Sequence, residues 1–234
     1  TLGGPFRIPG LYNGKDRTFF FFSYEGLRVT VPRAATTRNV PALSLRQNAL
    51  PAMQPIVNAF PLPNGSDQGN GMALFTGSYS APSTLNSYSV RLDHTFGEKM
   101  TVFGRYANTP SESETRSSAN LANITTNSFG TETATVGATN PFSPRLVNEF
   151  RFNYTDSYYR LVYSADDFGG ATPVTPEQFA PGITIPRGYN LQANLGFGTM
   201  PYVLLGQFYI PQHQWNITDS MTTTTGAHTL KYGI

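Results

Sequence analysis

Charged side chains recur at two-residue spacing in two segments of this sequence. Arg91 and Asp93 form one pair, Glu149 and Arg151 form a second, and Arg105 lies between them in the chain. A spacing of two places both members of a pair on the same face of a β-strand. Guanidinium and carboxylate groups on one face can bind a polar solute, or they can neutralise one another as cross-strand ion pairs. The sequence therefore predicts that these five residues form a charge ladder on one face, which is either a structural network of cross-strand ion pairs, the role that the pattern favours, or a substrate-binding surface.

Residue patterns typical of catalysis or metal binding are missing from the sequence. None of the three histidines, His94, His213 and His228, has a second histidine four residues away. The sequence contains neither a G-x-S-x-G nucleophile elbow nor a glycine-rich phosphate loop, and thiol chemistry is excluded because there are 0 cysteines. The sequence therefore indicates no catalytic residue, no metal site and no cofactor, and it favours a protein that is not an enzyme.

Two pairs of carboxylates keep an alternative function open. Glu112 and Glu114 lie in a polar segment, and Asp166 and Asp167 begin another. A glycosidase needs two carboxylates about 5–10 Å apart across a sugar, and these pairs are more typical of solvated loops. The alternative is a soluble, secreted β-rich hydrolase or carbohydrate-binding domain from a truncated reading frame.

The charges of the ladder lie in segments that alternate strictly between apolar and polar residues. The clearest is a hairpin over residues 86–106, in which a short turn at 97–99 separates two alternating runs. One face is apolar, and the other carries charges and hydroxyl groups. This pattern is typical of strands that separate lipid from a water-filled lumen. The apolar positions of the hairpin are Tyr88, Val90, Leu92, His94, Phe96, Met100, Val102, Gly104 and Tyr106.

The same alternation predicts about seven strands. Besides the hairpin, strand candidates lie at residues 18–27, 131–138, 146–163, 209–223 and 229–234. Long loops are predicted at residues 28–84, 107–130 and 164–206, the first of which contains a short helix near residues 52–59. Long and short connections alternate along the chain, as in outer-membrane barrels. The predicted fold is an all-β antiparallel meander that forms part of a large outer-membrane β-barrel with long loops.

Composition agrees with a β-structure and excludes other classes. The chain has 234 residues with 17 Phe and 13 Tyr, and only 13% of its residues are charged. Net charge is +2 and the basic residues are scattered, which argues against a nucleic-acid partner. No apolar run reaches the roughly 18 residues that a membrane-spanning helix needs.

Several segments resemble one family, the TonB-dependent receptor-like outer-membrane proteins of the Oar-like type, which is abundant in Acidobacteria and often carries a carboxypeptidase-regulatory-like domain. The most specific segment is Lys15 to Arg28, with the sequence KDRTFFFFSYEGLR, which resembles the junction between plug and barrel. The other matching segments, in order, are LGGP at 2–5, NSYSVRLDH at 86–94 with FGRY at 103–106, SPRLVNEFR at 143–151 and GAHTLKYG at 226–233.

This resemblance implies a function and a location. Such receptors import bulky nutrients, namely oligosaccharides, peptides or metal chelates, across the bacterial outer membrane with energy transmitted by TonB. Their barrels have about 22 strands, contact outer-membrane lipid and enclose an N-terminal plug. We therefore expect residues 1–17 to be a plug-to-barrel junction and residues 1–234 to be a partial barrel domain, with the plug and the TonB contact in a missing N-terminal part.

Overall fold

The computed structural model describes residues 1–97, 99–196 and 201–234. Its strands are β1 (Leu2–Pro5), β2 (Arg7–Ile8), β3 (Tyr12–Asn13), β4 (Thr18–Pro41), β5 (Met72–Phe96), β6 (Met100–Asn108), β7 (Ser111–Arg116), β8 (Asn123–Ser143), β9 (Leu146–Ala165), β10 (Tyr189–Asn194), β11 (Tyr202–Thr225) and β12 (His228–Gly233). Its helices are α1 (Leu43–Asn48), α2 (Gln54–Asn58) and α3 (Pro176–Phe179), with 3₁₀ turns at Pro51–Met53 and Phe168–Gly170. None of these helices is long and apolar enough to cross a membrane.

The long strands form one antiparallel sheet in meander order. Its strand order is β1-β4-β5-β6-β8-β9-β11-β10, β12 pairs with β11, and β7 continues the line of β6 between β5 and β8. Seven strands occur in the same order in the chain and in the sheet, namely β4, β5, β6, β8, β9, β11 and β12. The predicted all-β meander of about seven strands is confirmed, and so is the short helical segment near residues 52–59.

The two faces of the sheet differ in chemistry across all of these strands. Register places residues of equal polarity opposite one another, so the alternation predicted for single strands extends over the sheet. The apolar face carries a band of exposed large side chains, of which Trp215 is 65% exposed and Ile217 is 60% exposed. Other exposed members of this band are Phe22, Val90, Leu92, Tyr106, Val136, Phe150, Leu230 and Tyr232. The polar face carries hydroxyl, amide and charged groups.

Strands extend further than the sequence predicts, and the three predicted loops are correspondingly shorter. Residues 28–41 and 72–84 of the first predicted loop belong to β4 and β5. Most of the second, 107–130, forms the end of β6, β7 and the start of β8. The third, 164–206, contains β10 and the start of β11. Proline and polar composition concealed these strands, because the regular alternation of apolar and polar residues is lost in these extensions.

Two prolines show how the strands tolerate residues that usually end them. Pro32 of β4 pairs with Ser80 of β5, and beyond Phe22 the other side of β4 has no strand partner among the described residues. An edge strand accommodates proline because its N–H can point away from the ladder. Pro110 separates β6 from β7, and the line of hydrogen bonds resumes one residue later.

At one end of the sheet the connections pack into an ordered layer, here called the cap, made of residues 42–71, 117–122 and 166–188. The cap and the adjoining strand ends enclose a hydrophobic core in which Phe60 and Val203 are fully buried. The other core members are Val40, Ala59, Phe75, Leu121, Val174 and Leu205. The opposite end of the sheet has tight turns, such as residues 144–145 and 226–227, together with residues 6–17, in which β2 and β3 form a short hairpin between β1 and β4. Short turns are periplasmic and long connections extracellular in outer-membrane barrels, so the cap is extracellular.

Hydrogen bonds from buried polar side chains hold the segments of the cap together. The Arg46 guanidinium donates to the backbone carbonyls of Pro41, Phe60 and Pro61, with its shortest bond, to Pro61, at 2.7 Å. Burial lowers the pKa of Arg46 to about 10, so the side chain is charged at neutral pH. Asn120 donates to the carbonyl of Ala59 at 3.1 Å. These bonds satisfy buried backbone carbonyls at the end of β4 and directly after α2.

The sheet has open edges among the described residues. Beyond Phe22 the outer edge of β4 is unpaired, and β12 covers only the periplasmic end of β11. Lipid cannot satisfy unpaired backbone N–H and C=O groups, so a sheet that crosses a membrane must close on itself. A membrane-spanning barrel that contains this sheet therefore needs a strand partner for each of these edges.

Candidate ligand-binding face

All five predicted site residues lie on the polar face, within three neighbouring rows of the sheet. Arg91 of β5 lies directly opposite Arg105 of β6. Asp93 is in the next row, which continues through Phe103 and Gly137 to Arg151. Glu149 is one row further toward the periplasmic end. The structure thus brings the five residues onto one surface, although only Arg91 and Asp93 are in direct contact with each other.

Arg91 is held in a defined orientation by two contacts. Its Nε and Nη2 donate to the two carboxylate oxygens of Asp93 at 2.8 and 2.7 Å. Its guanidinium carbon also lies 4.0 Å from the centre of the Phe103 ring, within the range of a cation–π interaction. Phe103 lies across Gly137, where a Cβ atom would come within 2.4 Å of the ring. Glycine at position 137 therefore lets the aromatic ring lie flat on the polar face beneath Arg91.

Arg105 and Arg151 differ from Arg91 because neither has a carboxylate or hydrogen-bond partner among the described residues. Both side chains are exposed. They lie two strands and two residues apart, which corresponds to about 12 Å between their Cα atoms. Two free guanidinium groups at this separation can both reach one ligand.

Glu149 pairs with a residue that the sequence analysis missed. Its Oε2 accepts from Nζ of Lys231 at 3.1 Å, across β11. Both groups are exposed, so the pair contributes little to stability. The register of β12 brings Lys231 to this position, and only its alternation with Leu230 and Tyr232 in the sequence assigns it to the polar face.

Uncharged hydrogen-bonding groups complete the polar face on β8, β9 and β11. The row that contains Arg91 and Arg105 continues through Thr135 and Asn153 to Asn216. The Thr135 hydroxyl donates to the Asn153 amide oxygen at 2.7 Å. On β11 the Gln214 amide donates to Asn216 at 3.2 Å. The face therefore combines cations on β5, β6 and β9 with a wall of amides and hydroxyls beside them.

Two of the histidines and one of the loop carboxylates have structural partners. His94 bonds the Thr18 hydroxyl at 2.6 Å, and His213 lies 3.3 Å from Asp156 on the apolar face. Asp166 accepts two bonds from Arg116 at 2.6 and 2.8 Å, and the Arg116 guanidinium lies 4.3 Å from the Phe168 ring. In the described part of the chain no three His, Asp or Glu residues are arranged to hold a metal ion.

A second concave feature lies in the cap. A cavity of about 720 Å³ opens between β9, β11 and the connection that precedes β10. Its wall is mostly apolar and includes Val162, Val174, Ile183 and Leu205, with Glu177 as a charged group. The Glu177 carboxylate accepts from the backbone N–H of Gly182 at 3.1 Å, which holds this connection in place.

An antiparallel meander with an apolar outer band, a polar inner face, tight turns at one end and long connections at the other defines the class of outer-membrane β-barrel proteins. The family model described as outer membrane beta barrel domain matches residues 44–234, and the chain belongs to this family. No curated protein and no solved structure shows significant similarity to the chain. The predicted location in the bacterial outer membrane is confirmed, and the apolar band is the surface that contacts membrane lipid.

Proposed function

We propose that this chain is the barrel segment of a TonB-dependent receptor that imports a bulky nutrient. The resemblance of residues 15–28 to a plug-to-barrel junction supports this type of receptor within the wider class of outer-membrane barrels. The substrate-binding surface in this proposal is formed by Arg91, Asp93, Arg105, Glu149 and Arg151, in which the arginines contact the solute and the two carboxylates set the net charge of the surface.

The observation that carries the proposal is the oriented charge cluster on the polar face. A wall that only separated water from lipid would need polar groups but no fixed geometry. Here Arg91 is fixed by two hydrogen bonds to Asp93 and by the Phe103 ring, while Arg105 and Arg151 remain free to bind a solute. Preorganised polar groups beside free donors are typical of ligand sites.

Strand length gives a second argument. β4, β5 and β11 contain 24, 25 and 24 residues, whereas a membrane-crossing β-strand needs about 9–11. More than half of each strand therefore extends beyond the lipid, on the side of the cap. Such a wall and cap form an extracellular vestibule, which suits capture of a solute too large for a simple pore.

An uptake experiment in the source bacterium tests the proposal. Strains lacking this gene, or lacking TonB, are compared with wild type for uptake of labelled oligosaccharides, peptides and metal chelates. We expect both deletions to abolish uptake of the same bulky nutrient and to leave glucose uptake unchanged. Complementation with the intact gene restores uptake.

Matched substitutions test whether nutrient uptake depends on the polar face. Arg91→Gln lies in the cluster, whereas Arg160→Gln lies on the same face of the sheet as Tyr154 and Trp215, opposite to the cluster. We expect the first variant to slow uptake and the second to behave as wild type. Uptake that needs this gene but continues without TonB would contradict the proposal and indicate a passive channel.

A further inference from the structure

Positive charge exceeds negative charge on the polar face at the level of the membrane. The three rows that hold the cluster contain three arginines and two carboxylates, and Lys231 lies one row beyond Glu149, so four cations face two carboxylates: Arg91, Arg105, Arg151 and Lys231 against Asp93 and Glu149. Each carboxylate is already paired, Asp93 with Arg91 and Glu149 with Lys231. The excess charge is therefore localised on Arg105 and Arg151.

The position of Arg105 is unfavourable for the sheet itself. It lies directly opposite Arg91, and like charges in directly opposed positions destabilise a β-sheet. Asp93 offsets only the charge of Arg91. A residue that breaks a local rule without compensation within the fold is expected at a functional site. A bound anion would supply the missing compensation.

The surroundings of these two arginines narrow the chemistry of that anion. Phe21 and Phe103 lie on the same face, and Phe21 is 53% exposed in the row of Arg105. Asn216 and Gln214 present exposed amides at the other end of the rows. Aromatic faces suit the C–H surface of a sugar ring, and amides both donate to and accept from hydroxyl groups.

We propose that the polar face binds an acidic oligosaccharide, with carboxylates of the ligand at Arg105 and Arg151 and its hydroxyls along the amides of β9 and β11. Guanidinium groups bind carboxylates with two parallel hydrogen bonds, which gives both affinity and orientation. The inference rests on the proposed nutrient-binding role of this face and adds the substrate class to it.

Binding is measured by calorimetry on the full-length protein in detergent. The ligands are an oligogalacturonate, its fully methyl-esterified form, an oligoguluronate and hexaglutamate. The ester has the same sugar ring without the negative charge, and hexaglutamate has the charge without the sugar. We expect both oligouronates to bind at least tenfold more tightly than the ester or the peptide, with an affinity that decreases as salt concentration rises.

Substitutions assign the binding to the two arginines. Arg105→Gln and Arg151→Gln are each expected to weaken oligouronate binding about tenfold, while Arg105→Lys retains part of it and Arg160→Gln leaves it unchanged. Heat-modifiable migration on gels shows that each variant is folded. The inference would be overturned if the protein bound no oligouronate, or if it bound the methyl ester or hexaglutamate as tightly as the oligouronates. It would also be overturned if Arg160→Gln weakened oligouronate binding as much as Arg105→Gln or Arg151→Gln.

The outcomes separate this inference from the proposed function. TonB-dependent uptake of the neutral ester at the same rate as the acid would leave the receptor role intact and remove the acidic substrate class. Tight, arginine-dependent binding of oligouronates together with uptake that does not require TonB would keep the acidic substrate class and overturn the TonB-dependent receptor role.

Discussion

Arg91 and Arg105 lie directly opposite each other on neighbouring strands, yet only Arg91 has a carboxylate partner. Asp93 is on the same strand as Arg91, two residues further along, and accepts hydrogen bonds from its Nε and Nη2. The pair therefore neutralises one arginine and leaves the other as a free cation on the polar face. This asymmetry makes Asp93 the residue that sets how much positive charge the face presents.

Removing the charge of Asp93 should strengthen the binding of an acidic ligand. In Asp93→Asn the Arg91 guanidinium loses its counter-charge, so the face gains a second free cation beside Arg105. Because exposed charge pairs contribute about 0.2–1 kcal/mol, we expect affinity for oligogalacturonate to rise by up to about fivefold. Calorimetry checks this, and Glu132→Gln on the opposite face is the control. Weaker binding in Asp93→Asn would mean that Asp93 itself contacts the ligand.

Gly137 should tolerate no side chain, whereas Gly104 should. A Cβ at Gly137 would lie 2.4 Å from the Phe103 ring, and a Cβ at Gly104 would meet no atom within 4 Å. In Gly137→Ala the ring must turn away and lose its contact with Arg91, which costs about 1 kcal/mol. Gly104→Ala should be neutral or stabilising because alanine restricts the unfolded chain more than glycine does. Urea unfolding in lipid vesicles measures the stability of both variants. Equal urea midpoints for Gly137→Ala and Gly104→Ala would contradict the expected difference.

The sequence was sufficient for part of this arrangement, and the reasons are physical. Alternation along single strands assigned Arg91, Asp93, Arg105, Glu149 and Arg151 to one face, since one side of each strand meets lipid. It could not provide Lys231 as the partner of Glu149, because that contact depends on the register of three strands. It also could not show that Phe103 lies beneath Arg91, since the space for the ring depends on Gly137 in the next strand.

The sequence did not reveal the extracellular strands, because their two faces do not differ in polarity. Residues 111–116 and 123–129 lie where both faces meet water, so nothing selects for apolar side chains at alternate positions. Their Ser, Thr and Asn content therefore resembled a loop, although β8 pairs with the whole length of β7 and β9 pairs with residues 123–129. The sequence also did not reveal the cap, because its core joins connections to strand ends more than 100 positions away, as in the packing of Phe60 with Val203 of β11.

Asp166 should be important for the cap, and its neighbour Asp167 should not. Asp166 pairs with Arg116 through two bonds, and Arg116 in turn donates to the carbonyl of Leu121 at 2.9 Å. Because both side chains are mostly buried, Asp166→Asn leaves a poorly compensated cation and should cost roughly 2 kcal/mol. Protease added to intact cells should cleave the cap faster in Asp166→Asn. Asp167→Asn, an exposed position, should match wild type, and equal cleavage of both variants would contradict this role.

One face of the sheet is assigned to lipid and the other to the lumen. This assignment predicts that an arginine on β8 impairs barrel assembly on the lipid face but not on the lumen face. Val136 lies in the apolar row with Leu92, Phe152 and Ile217, and Thr133 lies on the polar face opposite Thr155. Arginine on the lipid face near the bilayer midplane costs about 2–4 kcal/mol, whereas arginine on a lumen face meets water. We therefore expect Val136→Arg to lower both the yield of assembled barrel and its urea midpoint, and Thr133→Arg to assemble normally. Assembly is measured as heat-modifiable protein in the outer-membrane fraction. The reverse result would exchange the faces, and the charge cluster would then lie toward lipid, where it could not serve as a binding surface.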